Sequence, residues 1–167
     1  MPVRRYIEMH PETVQDLELA SSDRLWEGLE LLVAGREAGG IYLLGYVVEM
    51  VMKAACFLLD GARPADPVSA RLGPARVLGK THSPAIEREN YHSLVFWYHV
   101  LLCKRQLAGR PLPSAMVRQL GRRVARIHSM WMVNMRYYPD GRAGPDDSAA
   151  MYNDVLWIYD RRLQLRV

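Results

Sequence analysis

From Tyr42 to Phe57 the chain reads YLLGYVVEMVMKAACF, an apolar run that carries charge only at Glu49 in its middle and Lys53 one turn later. As a helix this segment is hydrophobic on every side, and such a helix is normally buried by other elements. The fold must therefore be built around it. A carboxylate inside it has to be protonated or paired. Glu49 and Lys53 share one face at i, i+4, in the favourable order, so the sequence supplies the partner itself. Two readings of the pair follow: an ordinary ion pair where the helix leaves the core, or a carboxylate held for chemistry.

With 167 residues, the chain is expected to form a single domain, 1–167, large enough to bury a core without metal or disulfide staples. Half of the residues are hydrophobic and 24% are charged, an ordinary globular balance that excludes disorder as the default. Cys56 and Cys103 both fall in apolar helical patterns, which suits small core residues in a reducing compartment. The opening residues, MPVRRYIEMHPE, lack the apolar stretch of a signal peptide. Glu49 and Lys53 break the longest apolar run short of the ~20 residues a membrane span needs. A cytoplasmic protein without a membrane contact is the expectation. The net charge of +4 permits nucleic acid as a partner. Its distribution is more telling: between Arg118 and Arg142 stand six arginines and one aspartate.

Periodicity predicts five helical segments and no strand. The first runs from about Val14 to Gly35 on Leu17, Leu19, Leu25, Leu29, Leu32 and Val33, although Ser21, Ser22 and Asp23 equally suit a later cap. A short connector, Arg36 to Gly40, leads to the Tyr42 helix, which ends near Leu59. The Pro- and Gly-rich stretch 60–84 is too long for a passive loop, so it either holds a short helix or has a task, and Asp66 to Leu72 is its best place for a helical turn. The third helix spans about Ala85 to Leu107, with Tyr91, Leu94, Val95, Tyr98, Leu101 and Leu102 facing inward. The fourth runs from a cap at Ser114 to about Met135, on Val117, Leu120, Val124, Ile127 and Trp131. After the turn YYPDGRAGPDD the last helix covers about Ala149 to Leu163. Short connections between amphipathic helices give an all-α antiparallel bundle of four to five helices.

Tyr42, Leu43, Gly45, Tyr46, Glu49, Lys53 and Ala54 fill an AxYLxGYxxExxxKA pattern, with Gly40 in place of its leading alanine. In a second helix this pattern resembles the HEPN superfamily, small helical domains named for higher eukaryotes and prokaryotes and for nucleotide binding. Tyr91-His92-Ser93-Leu94, leading into Phe96-Trp97, resembles the family's aromatic-His-x-Leu segment. Met135-Arg136-Tyr137 resembles its Arg-Tyr element ahead of the final helix. The resemblance implies a HEPN-like bundle in a prokaryotic toxin–antitoxin, defence or stress system, binding RNA, a nucleotide or a nucleotidyltransferase partner. It also implies a homodimer, for which Trp97, Tyr98 and His99 are the candidate surface, and no cofactor.

Catalytically active members of that family are metal-independent ribonucleases with an arginine, a polar residue and, a few positions on, a histidine. An imidazole can handle the 2′-hydroxyl or leaving-group proton while a guanidinium neutralises developing phosphorane charge. Two stretches approximate this. Arg88-Glu89-Asn90-Tyr91-His92 is one residue short, and on a helix its Arg88 and His92 share a face. Arg123 to His128 has the full length, but Val124 holds the polar position and its ends lie ~140° apart around a helix. A packing histidine beside a surface arginine explains the first stretch equally; coincidence in an arginine-rich helix explains the second. Arg118, Arg122 and Arg126 recur every four residues, with Arg123 alongside and Arg136 beyond. Such a row can follow a phosphate backbone, or pair with acidic residues of neighbouring helices. No metal site is expected, since His92 and His99 have no third ligand near them in sequence.

The leading expectation is a binding protein using Arg118, Arg122, Arg123, Arg126, His128 and Arg136 for RNA or phosphate. The alternative is an active endoribonuclease with His92 as general acid/base, Arg88 as phosphate clamp, and Glu49 or Lys53 ordering the site. A purely structural scaffold is the third.

Overall fold

A computed structural model describes residues 12–82, 92–131 and 143–167. These residues form seven helices: α1 Val14–Val33, α2 Glu37–Leu59, α3 Ser69–His82, α4 Leu94–Leu107, α5 Ser114–Met130, α6 Pro145–Asp160 and α7 Arg162–Arg166. Among the described residues there is no strand, only an isolated bridge between Thr13 and Pro67. The all-α class stands, and the helix count exceeds the expected four to five by α3 and the short α7.

The apolar segment organises the rest. α2 is buried along most of its length, from Ala38 to Phe57, and touches α1, α4, α5, α6 and α7. By length and composition alone it is apolar enough to cross a membrane, but 72% of that stretch is enclosed by the other helices. α2 starts earlier than the sequence suggests. The expected connector Arg36–Gly40 is helical from Glu37, and Gly35 alone makes the turn at φ +69°. Gly40 belongs to the helix because it lets two backbones cross closely: a Cβ there would lie 2.2 Å from Leu32 Cδ2 and 3.0 Å from the Gly28 carbonyl.

At Thr13 a reciprocal cap starts α1. Its hydroxyl accepts from the Asp16 amide at 3.2 Å, and the Asp16 carboxylate accepts from the Thr13 amide at 2.8 Å. Ser21, a rival cap in sequence, is instead buried inside the helix and donates to the Glu18 carbonyl. The next free amides of α1 meet the 60–84 connector: Val14 donates to Asp66 O at 3.0 Å and Gln15 to Pro64 O at 2.9 Å. Leu17 and Leu25 face the core as expected, whereas Leu19 and Val33 are exposed.

The connector holds far more helix than the turn expected at Asp66–Leu72. α3 has 14 residues and runs through Pro74. Docking outweighs the proline: Ala75 is fully buried, and Gly79 lies so close to α4 that a Cβ would meet Phe96 Cε2 at 2.1 Å. α4 begins at Leu94, capped by the Ser93 hydroxyl, which accepts from the Phe96 amide. His92 therefore stands in a turn ahead of α4, and its spacing to Arg88 falls outside the described residues. The inward side of α4 is formed by Leu94, Phe96, Trp97, Val100 and Leu101. Trp97 is fully buried, so it cannot belong to the dimer surface assigned to it; His99 is exposed. α5 keeps its expected face, with Leu120, Val124 and Ile127 buried, and ends at Trp131. α6 starts before the expected Ala149, because the Asp147 carboxylate reaches back to the Gly144 amide at 3.1 Å and Pro145 opens the helix. Arg88, Tyr91 and Arg136 lie outside the described residues.

Candidate functional site

Halfway along α2, Glu49 is only 3% exposed. Moving a carboxylate into such a position costs several kcal/mol, on the order of 3–5 if it were left unpaired. Two groups offset that cost. Lys53 Nζ donates to Glu49 Oε1 at 2.5 Å, the contact expected from the spacing. The second group comes from 43 residues away: His92 Nδ1 lies 3.1 Å from Oε1 and 3.0 Å from Oε2. The turn before α4 thus brings His92 onto the carboxylate in the middle of α2.

An ionised carboxylate only accepts hydrogen bonds, so the Nδ1 facing Glu49 carries the proton. In the neutral ring this makes Nε2, on the far side, the basic nitrogen. The His92 side chain is 41% exposed, so part of the ring reaches the surface while Glu49 stays dry. A buried carboxylate that fixes one imidazole nitrogen of a partly exposed ring is an arrangement that orients the ring for proton transfer.

Aromatic side chains frame the pair. The Tyr46 ring meets His92 edge-on, with centroids 6.3 Å apart, and meets Trp131 at 5.2 Å and Tyr42 at 5.1 Å. Trp131 is fixed in turn, its Nε1 donating to the Tyr42 carbonyl at 2.9 Å. It lies flush against α2 because position 45 is glycine: a Cβ there would be 2.1 Å from Trp131 Cδ1. On the other side, Lys53 Nζ sits 5.5 Å from the centre of the Trp97 ring, a cation–π contact inside the core.

The second stretch with ribonuclease-like spacing is not assembled. Arg123 and Arg126 both bind Asp154 of α6: Arg123 through Nη1, Arg126 through Nε at 2.5 Å and Nη2 at 2.8 Å. His128 is half-buried, its Nδ1 is without a hydrogen-bond partner among the described residues, and burial pushes its pKa below the ordinary imidazole value. Arg123 thus serves Asp154, not His128. The arginine row divides: Arg123 and Arg126 are paired within the fold, while Arg118 and Arg122 are exposed and make no ion pair among the described residues. Gln119, Arg122, Arg123 and Arg126 line an open concavity of about 340 Å³.

Asp154, 1% exposed, is the polar residue that sequence reasoning passed over. Its signal was a carboxylate placed among Met151, Val155 and Ile158 on the apolar stripe of the last helix. No group of three or more metal-ligating side chains occurs among the described residues. No protein-family model, curated protein or solved structure matches this chain.

Proposed function

We propose that this chain is a HEPN-like, metal-independent endoribonuclease of a prokaryotic toxin–antitoxin or defence system, acting in the cytoplasm as a homodimer. The single observation that carries the catalytic part is the contact of His92 Nδ1 with the buried Glu49 carboxylate. His92 Nε2 takes the 2′-hydroxyl proton, the freed oxygen attacks the adjacent phosphorus, and the P–O5′ bond breaks to leave a 2′,3′-cyclic phosphate while the imidazolium returns its proton to the 5′-oxygen. Glu49 is a positioning residue: it fixes the tautomer and stabilises the imidazolium that forms. Lys53 pairs with the same carboxylate from one turn further along α2. Arg88, by the family resemblance, supplies the charge that steadies the phosphorane.

The test is cleavage of mixed-sequence RNA in the presence of a chelator. Wild type and His128→Ala are expected to cleave, and His92→Ala to lose activity by about 10²-fold or more. Activity kept in His92→Ala refutes the assignment.

A second reading keeps the fold and removes the chemistry: a binding component that docks on RNA or a nucleotidyltransferase partner. The observation in its favour is that Lys53 already neutralises Glu49, so the His92 contact also serves to pin the residues ahead of α4 onto α2. An intact, RNA-binding protein with no cleavage of any RNA supports this reading.

A further inference from the structure

Apart from His92, α5 and the stretch 161–166 carry a concentration of guanidinium groups. Three of them, Arg122, Arg123 and Arg126, converge with Gln119 on the concavity of about 340 Å³. Asp154 fixes two of the three. Being almost fully buried, it holds Arg123 and Arg126 from behind and takes only one donor of the first and two of the second. Most of the donors of both side chains stay available, and their positions are set before any ligand arrives. Arg122 makes no ion pair among the described residues, so one carboxylate faces three cations. The pocket is left with an excess of positive charge.

The lining also says what kind of anion fits. Among the described residues it contains no aromatic face for a base. The Trp157 ring that Arg123 touches is already engaged by the guanidiniums of Arg123, 4.8 Å from its centre, and Arg161, 4.2 Å from it. Recognition here runs through anionic oxygens and not through bases. Arg118 extends the row by one further turn, to ~12 Å from Arg126 along the helix axis. A single small anion needs the pocket alone, whereas a polymer with repeated phosphates also uses the row.

We propose that this concavity anchors backbone phosphates of an RNA strand, without base specificity, at a place separate from the Glu49–His92 pair. The choice of RNA as the polymer rests on the ribonuclease reading; the phosphate chemistry does not. The test is fluorescence anisotropy of labelled mixed-sequence single-stranded RNA from about 50 to 200 mM salt, a range over which phosphate contacts separate clearly. Arg122→Gln is compared with wild type and with Arg24→Gln on α1, and thermal melts establish that each variant is folded. Arg122→Gln is expected to weaken binding and to flatten the slope of log affinity against log salt by about 0.7, the loss of one single-strand phosphate contact. Arg24→Gln is expected to keep the wild-type slope.

An unchanged affinity and slope in Arg122→Gln overturns the anchor. Such a result leaves the ribonuclease reading intact if His92→Ala still loses cleavage. Conversely, a flattened slope with cleavage preserved in His92→Ala sustains the anchor and sinks the ribonuclease reading. Wild-type binding of inorganic phosphate that is lost in Arg122→Gln, without RNA binding, overturns the polymer assignment.

Discussion

Gly45→Ala tests whether α2 and Trp131 form the rigid support beneath the His92 site. Away from neighbours, alanine in place of a mid-helix glycine gains about 1 kcal/mol. At position 45 the new Cβ would lie 2.1 Å from Trp131 Cδ1, 2.2 Å from Cγ and 2.3 Å from Nε1. Ordinary carbon contacts need ~3.5–4.0 Å, so the indole must retreat by more than an ångström. Trp131 is 1% exposed and has no space to retreat into without disturbing its neighbours. Overpacking of this kind costs about 1–3 kcal/mol. Breaking the Trp131–Tyr42 hydrogen bond and leaving a buried N–H unpaired adds about 1–3. Against the propensity gain, the net expectation is a loss of about 1–5 kcal/mol, read in urea denaturation followed by tryptophan fluorescence. Gly73→Ala in α3 is the control, since nothing lies within 4 Å of its added Cβ. Its expected effect is a gain of a few tenths of a kcal/mol to about 1, trimmed by the following Pro74. A neutral or stabilising Gly45→Ala refutes the close seat of Trp131 on α2 and, with it, the aromatic frame of Tyr46 and His92.

Three further outcomes are expected. Lys53→Met leaves Glu49 with His92 alone and should cost about 3 kcal/mol, whereas Glu49→Leu with Lys53→Met should recover most of that loss in the same denaturation assay. Asp154→Ala should cost about 1–3 kcal/mol, at or below the low end for a buried pair because the Arg126 side chain is 54% exposed and can rehydrate; Arg123→Ala should cost less, since Arg126 still satisfies the carboxylate. Burial depresses the pKa of the half-buried His128 below the ordinary 6.5, so the unfolded chain takes up its proton first. Stability is then full above pH ~6.5 and falls as the pH drops through 6.5 toward the depressed value. His128→Asn should shrink the fall in denaturation midpoint between about pH 7.5 and 5.5, and an unchanged fall contradicts the burial argument.

The parts legible from the sequence were those governed by local periodicity. α2, the Glu49–Lys53 pair and the Leu120–Val124–Ile127 face follow from residues within a few turns of one another. α3 was legible only as a short helix or turn near Asp66–Leu72, because Gly73, Pro74 and Gly79 argue against its full length. What completes it is the docking of Ala75 and Gly79 onto α4, which no local pattern announces. Gly39 and Gly40 read as a loop for the same reason; their role is the close crossing of α1 and α2 at Gly28. The candidate site divides along the same line. Glu49 and Lys53 announce each other at i, i+4, whereas the His92 contact depends on how the turn before α4 returns to the middle of α2. Asp154 captures half of the arginine row from a different helix, so spacing within α5 could not say which arginines remain open.

The central claim is that Glu49 holds the His92 imidazole with its proton on Nδ1, leaving Nε2 as the base. It can be tested without knowing the RNA substrate. Nitrogen-15 NMR of the imidazole rings, at a pH about one and a half units above the ordinary imidazole value, reports the tautomer of each neutral histidine. The account predicts the Nδ1–H tautomer for His92 in the wild type, and a shift toward the Nε2–H form in Glu49→Gln. An Nε2–H tautomer in the wild type, or a His92 signal indifferent to Glu49→Gln, contradicts it.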